Sequence, residues 1–590
     1  MRNNVKTGRI LYRRYEGIRG VCFSGRAEPT RRFAYLENMY VDREGRGDAV
    51  ESIPGFRITY SFESEIHSLH RQVLSGGEKY ILVHSGCELY RFAAEERDGL
   101  SKLEPIAHLE DKKSYGFTLG DRVYITDRER MIAIDPSGLA TEVSAHGKAI
   151  GCTLGTAYGG RLFLCANPDE PEAIFVSSTD EDGNIHFTPE DKMVCGSCGF
   201  TVKAILAIDG EMWIFKSADD GCGSILRYRL DEEGELCLLD EISGYESISG
   251  AAVCCGRIFF LSEKGLMTAE KSVDGVTISC VSRDINPKLL TEKREQALLG
   301  AWLGYLIIAC ESRMYLCDLT YGYEWYFLSG IGAYEGQRRV YRYSSVGENG
   351  HLAHRKTNLP ADGVVMSVKG EDGRMIYYVE EGENKYSVYP TEQFSGGRLY
   401  PPSEILLDGG LMWFGTKTGR LCIFNNDKRG VAPDRIRSSP DFDPEKYSSI
   451  YGGIIHPDFY SFAGHAPRYA LITAPDCCEK ESARKSTVSG SITFTLKAFP
   501  DSKASLSIIT DGKVRGCYAA DMSDDEFRAS SIAPLGSEAG AYHRVRIATR
   551  VGGWREKQIT LVSENYASPI GLYSLSFSYR SCTNAKRDRL

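Results

Sequence analysis

The chain contains no apolar run of about 18 residues, the length a helix needs to cross a bilayer, so the sequence predicts no membrane segment. Its opening, MRNNVKTGRILYRRYEGIRG, is basic but lacks the apolar stretch of a secretory signal. The expectation is a soluble protein made in a cytoplasm. Helical periodicity is scarce, and residues 285–301 (INPKLLTEKREQALLGA) are the best candidate. No HExxH, GxSxG, Walker loop or dinucleotide fingerprint occurs, which leaves the metalloprotease, hydrolase and nucleotide-binding chemistries without their signatures. The sequence therefore predicts no catalytic residue, no cofactor and no metal site.

Histidine is sparse, at 11 residues. His67/His70 and His351/His354 each place two imidazoles three apart, but neither pair sits on a helix, where that spacing converges on a metal, and no third ligand is nearby. The eighteen cysteines fall mostly at apolar strand positions, among them Cys165, Cys237, Cys280, Cys310, Cys317 and Cys422. Without an export signal these read as small buried hydrophobes rather than a disulfide framework. Cys195 and Cys198 have redox or zinc spacing but no second pair, and the adjacent pairs Cys254–Cys255 and Cys477–Cys478 are poor chelates. The polar run 177–184 (SSTDEDGN) approaches an Asp-box or calcium loop, but its spacing departs from both. A hairpin turn that hydrogen-bonds itself is the expected role. Trp325 and Trp554, which could stack on sugars, lie in strand-like aromatic runs and are expected in the core.

What is abundant is a repeat. A glycine turn, a strand, a tighter turn and a second strand recur at Gly77, Gly120, Gly160, Gly210, Gly256, Gly304, Gly373 and Gly410. Most spacings are 37 to 50 residues, the unit length of a four-stranded propeller blade. The gap from Gly304 to Gly373 is wider and needs an insertion, with 339–357 as an extra hairpin or incomplete blade. One blade cannot bury its own faces, so radial stacking is the physical solution. The expected fold is all-β: a β-propeller of about seven or eight blades over 61–425, its closing blade completed by an N-terminal strand. Before it, 1–60 form a basic arm and lead-in strands. After it, 426–488 read as an irregular connection, and 489–590 as an antiparallel β-sandwich or jelly-roll-like domain.

Charge is divided along the chain. Residues 1–36 carry nine Lys/Arg against two acids, and 420–590 carry 24 basic residues against 19 acidic. The whole-chain net charge of −9 therefore leaves −21 on 37–419. An acidic propeller between basic ends lacks the concentrated basic face of a nucleic-acid binder.

Four segments carry a resemblance: LENMYVDREGRGDAVESIPGFR (36–57), SEIHSLHRQ through EKYILVHSGCELYRF (64–92), GHAPRYALITAPD through SLSIITDGK (464–513), and WREKQITLVSENYASPIGLYSLSFSYRS (554–581). In style and order of elements the chain resembles the packaged-DNA stabilisation and tail-nozzle propellers of bacteriophages and prophages. The resemblance implies a structural, non-enzymatic virion protein of the head–tail connector, assembled in the bacterial host cytoplasm. It further implies a homo-oligomeric ring, contact with the portal, adaptor and other tail proteins, and transient passage of double-stranded DNA. An acidic wall in such a ring would let DNA slide, since each phosphate neutralised by Lys or Arg adds affinity. The alternative is a tail-tip or surface propeller that binds a cell-wall glycan. A propeller enzyme would need an acid–base pair at the central mouth, with one carboxyl displaced in acidity.

Overall fold

The computed structural model describes residues 5–582 apart from internal gaps, the longest at 19–32, 43–48, 95–102, 425–461 and 522–541, with shorter ones elsewhere, many between 336 and 397. The described residues form a seven-bladed β-propeller; six blades are four-stranded antiparallel sheets, and the four strands of the sixth belong to a nine-stranded sheet. The innermost strands are Ile66–Val73, Tyr115–Leu119, Leu154–Tyr158, Thr201–Ile208, Ile248–Cys254, Leu298–Trp302 and Pro402–Leu407. Each lies against the next, and the seventh lies against the first.

The repeating glycine has a conformational reason. Asp209–Gly210, Cys255–Gly256 and Leu303–Gly304 all hold positive φ at both positions, the requirement of the two-residue turn that matches strand twist. The strand after each turn is buried on both faces: Arg161–Cys165, Glu211–Ser217, Arg257–Ser262 and Met412–Thr416 run almost wholly buried. A strand covered by a blade on either side has no solvent face, so runs such as RLFLC and RIFFL replace alternation.

The seventh blade closes the ring with chain from the other end. Its first three strands come from 402–424, and its fourth is Phe56–Ser61, paired from Phe424 opposite Phe56 to Arg420 opposite Ser61. Phe56 is buried against Phe414, Phe424 and Phe462, with ring centroids 4.8 to 5.2 Å away.

The copy at Gly373 is not a blade. Met366–Lys369, Met375–Glu381 and Asn384–Ser387 form a separate three-stranded sheet. It belongs to an insertion between the last strand of blade 6, Glu324–Leu328, and the first of blade 7. A half-buried hairpin has the same two-residue period whether or not it joins the ring. The helical candidate at 285–301 reduces to one turn at Asn286–Leu289 and a 3-10 turn at Arg294–Gln296. Its remaining apolar residues enter Leu298–Trp302, the inner strand of blade 6.

The second body is a two-layer sandwich that draws on both chain ends. One layer contains Val5–Tyr12, Met39–Asp42, Ala49–Ser52, Arg484–Thr487, Ile492–Ala498, Tyr542–Ile547 and Ile570–Cys582. The other continues directly from blade 6: Glu324–Leu328 pairs with Phe33–Glu37, followed by Tyr469–Thr473, Lys557–Ser563, Lys503–Thr510 and Lys513–Asp521. The lead-in strands before 53 are thus sandwich strands, and two more, Tyr469–Thr473 and Arg484–Thr487, lie within 426–488. Pairings across more than 400 residues leave no trace in local periodicity. One hydrophobic core runs from Phe259 and Trp325 of the propeller to Phe494, Leu561 and Phe577 of the sandwich, so the two bodies share a core as well as a sheet.

Candidate functional site

The richest cluster of chemistry lies at one mouth of the central channel, where blades 7, 1 and 2 meet. The inner strand of blade 1 has a bulge that leaves His67 without an opposing residue, between Ile66 opposite Ser85 and Ser68 opposite His84. Bulges re-aim side chains, and here His67 Nε2 meets Asp111 Oδ1 at 2.7 Å. Asp111 and Lys113 lie on the link from blade 1 to blade 2. Lys113 pairs with Glu404, which stands on the inner strand of blade 7 next to a second bulge at Ser403. Ser403 Oγ donates to the Ile66 carbonyl at 2.9 Å and so ties blade 7 to blade 1. Burial raises the Glu404 carboxyl above its ordinary acidity range, and the Lys113 ammonium opposes this.

Behind this layer is a closed polar network. Ser114 Oγ lies 3.0 Å from His70 Nε2, 3.1 Å from His84 Nδ1 and 2.7 Å from Ser68 Oγ. Burial is the largest cause that lowers both imidazoles, His70 to about 3 and His84 to about 4. Each is therefore neutral at physiological pH. Ser68 and Ser114 are buried, so neither hydroxyl is offered as a nucleophile. The outer layer places the His67–Asp111 hydrogen bond beside the Lys113–Glu404 ion pair.

His67 and His70 diverge: His67 faces the mouth and His70 faces blade 2. Among the described residues, no three His, Cys, Asp or Glu side chains converge as metal ligands. His351, His354 and Cys198 lie outside the described residues, while Cys195 is buried. The 177–184 run forms a hairpin, with Asn184 N bonded to Asp180 Oδ1 at 2.7 Å and Asp180 N bonded to the Asn184 carbonyl at 2.9 Å. Trp325 and Trp554 are fully buried, as are Cys165, Cys317 and Cys422. Cys237 corrects the reading of buried cysteines: it is exposed, because its strand is the outer edge of a blade. Asp111, Lys113, Ser114 and Glu404 were invisible in sequence. Glu404 lies 291 residues from Lys113, and only the closed ring brings them together.

No protein-family model and no curated protein sequence matches the chain. Among solved structures, virginiamycin B lyase from Staphylococcus aureus is similar at 11% identity and a TM-score of 0.33, over 62% of this chain and 97% of that one. BamB from Moraxella catarrhalis is similar at 8% identity and a TM-score of 0.30, over 71% of this chain and 98% of that one. Both neighbours are β-propellers, and at this level they say nothing of chemistry.

Proposed function

We propose that the chain is a structural virion protein of a phage or prophage, a ring-forming component of the head–tail connector or tail nozzle that retains and conducts packaged DNA. In that role it works as a building block and not as an enzyme. The observation that supports this most is where three of the four resembling segments lie, the fourth, 64–92, being in blade 1. Residues 36–57, 464–513 and 554–581 are far apart in sequence, yet their strands interleave in the sandwich and its junction with blades 6 and 7. Two bodies that share a core and a sheet suit a subunit that must hold its shape in a ring under load.

The acids are not directed at the propeller's own hole. Its seven inner strands carry one acid, Glu404, beside Arg71 and Lys203. In the ring reading, DNA passes through the opening between copies, and the acidic propeller surfaces face it. The glycan-binding alternative would use exposed aromatic side chains. All five tryptophans are buried, and the exposed large side chains among the described residues are all aliphatic.

Deletion of the protein from its phage tests the reading. The expected result is particles that package DNA and then lose it. DNA-filled particles that fail to adsorb to cells would overturn it and favour glycan recognition. An enzyme at the channel mouth is a second reading, which the His67–Asp111 pair beside Glu404 favours. For that reading, H67N with E404Q would abolish infectivity while particles assemble and retain DNA.

A further inference from the structure

Ten large aliphatic side chains are exposed among the described residues, and only Leu238 and Leu239, at 51% and 44%, are neighbours in sequence. They lie on Leu236–Glu246, the 11-residue outermost strand of blade 4. Its register against Cys222–Leu230 shifts twice, which leaves Leu239 and Gly244 without opposing residues. The bulge at Leu239 breaks the alternation, so Cys237, Leu238 and Leu239 are exposed in succession. A bulged edge is a poor template for another strand, so this edge is suited to contact through side chains.

The segment that carries it is of one sign, although Arg227 and Arg229 stand opposite Asp240 and Cys237 on the neighbouring strand. Residues 231–246 include seven Asp or Glu and no Lys, Arg or His. Asp240 pairs with Arg227 and Glu246 with Lys264, while Glu232, Glu233 and Glu235 pair with no cation among the described residues.

The sandwich carries the complement. Lys513–Asp521 is the free edge of the nine-stranded sheet among the described residues. A register shift against Lys503–Thr510 leaves Arg515 unopposed. Lys513, Val514 and Arg515 are therefore exposed in succession, Val514 at 60%. One patch is an aliphatic pair rimmed by carboxylates, and the other is an aliphatic side chain between two cations.

We propose that the outer edge of blade 4 docks on the Lys513–Val514–Arg515 edge of a second copy of this chain. Leu238 and Leu239 cover Val514, and Lys513 and Arg515 face Glu232, Glu233 and Glu235. The two patches differ, so the contact is head-to-tail and repeats from copy to copy into a ring or a filament. Blade 4 lies two blades from blade 6, which carries the sandwich, so both patches of one copy are free at once. The proposal rests on the ring reading and supplies its interface.

Cys237 and Cys517 are both exposed beside these patches and give a direct test. Full-length protein, labelled and unlabelled with heavy isotopes and then mixed, is treated with a short bismaleimide. The expected product is a Cys237–Cys517 link between chains, lost in C237S and in C517S. In parallel, K513E/R515E is expected to weaken self-association at least tenfold, and addition of E232K/E233K/E235K to restore it. An oligomer indifferent to these substitutions, or linked through other cysteines, would overturn the interface and leave the ring reading standing. A chain that stays monomeric at every concentration and forms no link would overturn both. Capture of the blade 4 edge only by a different basic protein would overturn the choice of a second copy.

Discussion

At the residue scale, Asn38 shows how one side chain joins both bodies. It is buried with φ at 55°, a conformation asparagine tolerates because its amide bonds locally. Its Nδ2 donates to the Arg468 carbonyl at 2.8 Å, and its Oδ1 accepts from Ser329 N at 2.9 Å. Beside it, Glu37 pairs with Arg468 at 2.7 Å and accepts from Ser329 Oγ at 2.6 Å. N38A removes both amide bonds and keeps the strained φ, so it should cost about 2–4 kcal/mol, measured by denaturant unfolding; N38G should cost less because glycine accepts the backbone. His70 and His84 set a second expectation. Their folded values, about 3 and about 4, lie below the 6.5 of an unfolded imidazole. Their contribution is therefore complete above pH 6.5 and is lost as pH falls toward 4 for His84 and toward 3 for His70, each at up to about 1.4 kcal/mol per pH unit. Melting temperature should drop over that window, and H70Q should flatten the drop. An unchanged profile in H70Q would show that the network does not govern acid stability.

At the scale of elements, the ring depends on its last pairing. Phe56–Ser61 supplies the outermost strand of blade 7, and Phe56 anchors it among three aromatic rings. F56A should cost about 3–5 kcal/mol and raise hydrogen exchange first in blades 7 and 1, where the ring would open. Uniform acceleration across all blades would instead indicate a single cooperative unit. The blades were legible in sequence because each is local: a glycine turn at positive φ followed by an apolar strand, at nearly constant spacing. The Gly373 copy misled because a hairpin in an insertion has that same local pattern. The sandwich was only half legible. Strands such as Ile492–Ala498 alternate cleanly, but the pairing of Val5–Tyr12 with Ile570–Cys582 depends on two distant chain ends meeting. The channel-mouth cluster was least legible. His67 was visible as a residue, but its partners come from a loop and from blade 7.

At the scale of the whole molecule, the charge division takes a structural form. Among the described residues, the sandwich strands bring together basic residues from both ends, among them Lys6, Arg9, Lys485, Lys513, Arg515 and Lys557. The acidic excess stays on the propeller, away from its inner strands and dense at the rim of blade 4. If the proposed head-to-tail contact forms, salt should weaken it, because the contact is rimmed by charge. In the proposed role, copies of this chain close into a ring. The most direct test is the solution mass of the full-length protein at low salt, alone and with portal-side proteins, followed by negative-stain imaging of the same sample. The expected result is an integer multiple of the chain mass and closed rings, both reduced by K513E/R515E. A monomer at every concentration, with or without those proteins, would contradict it.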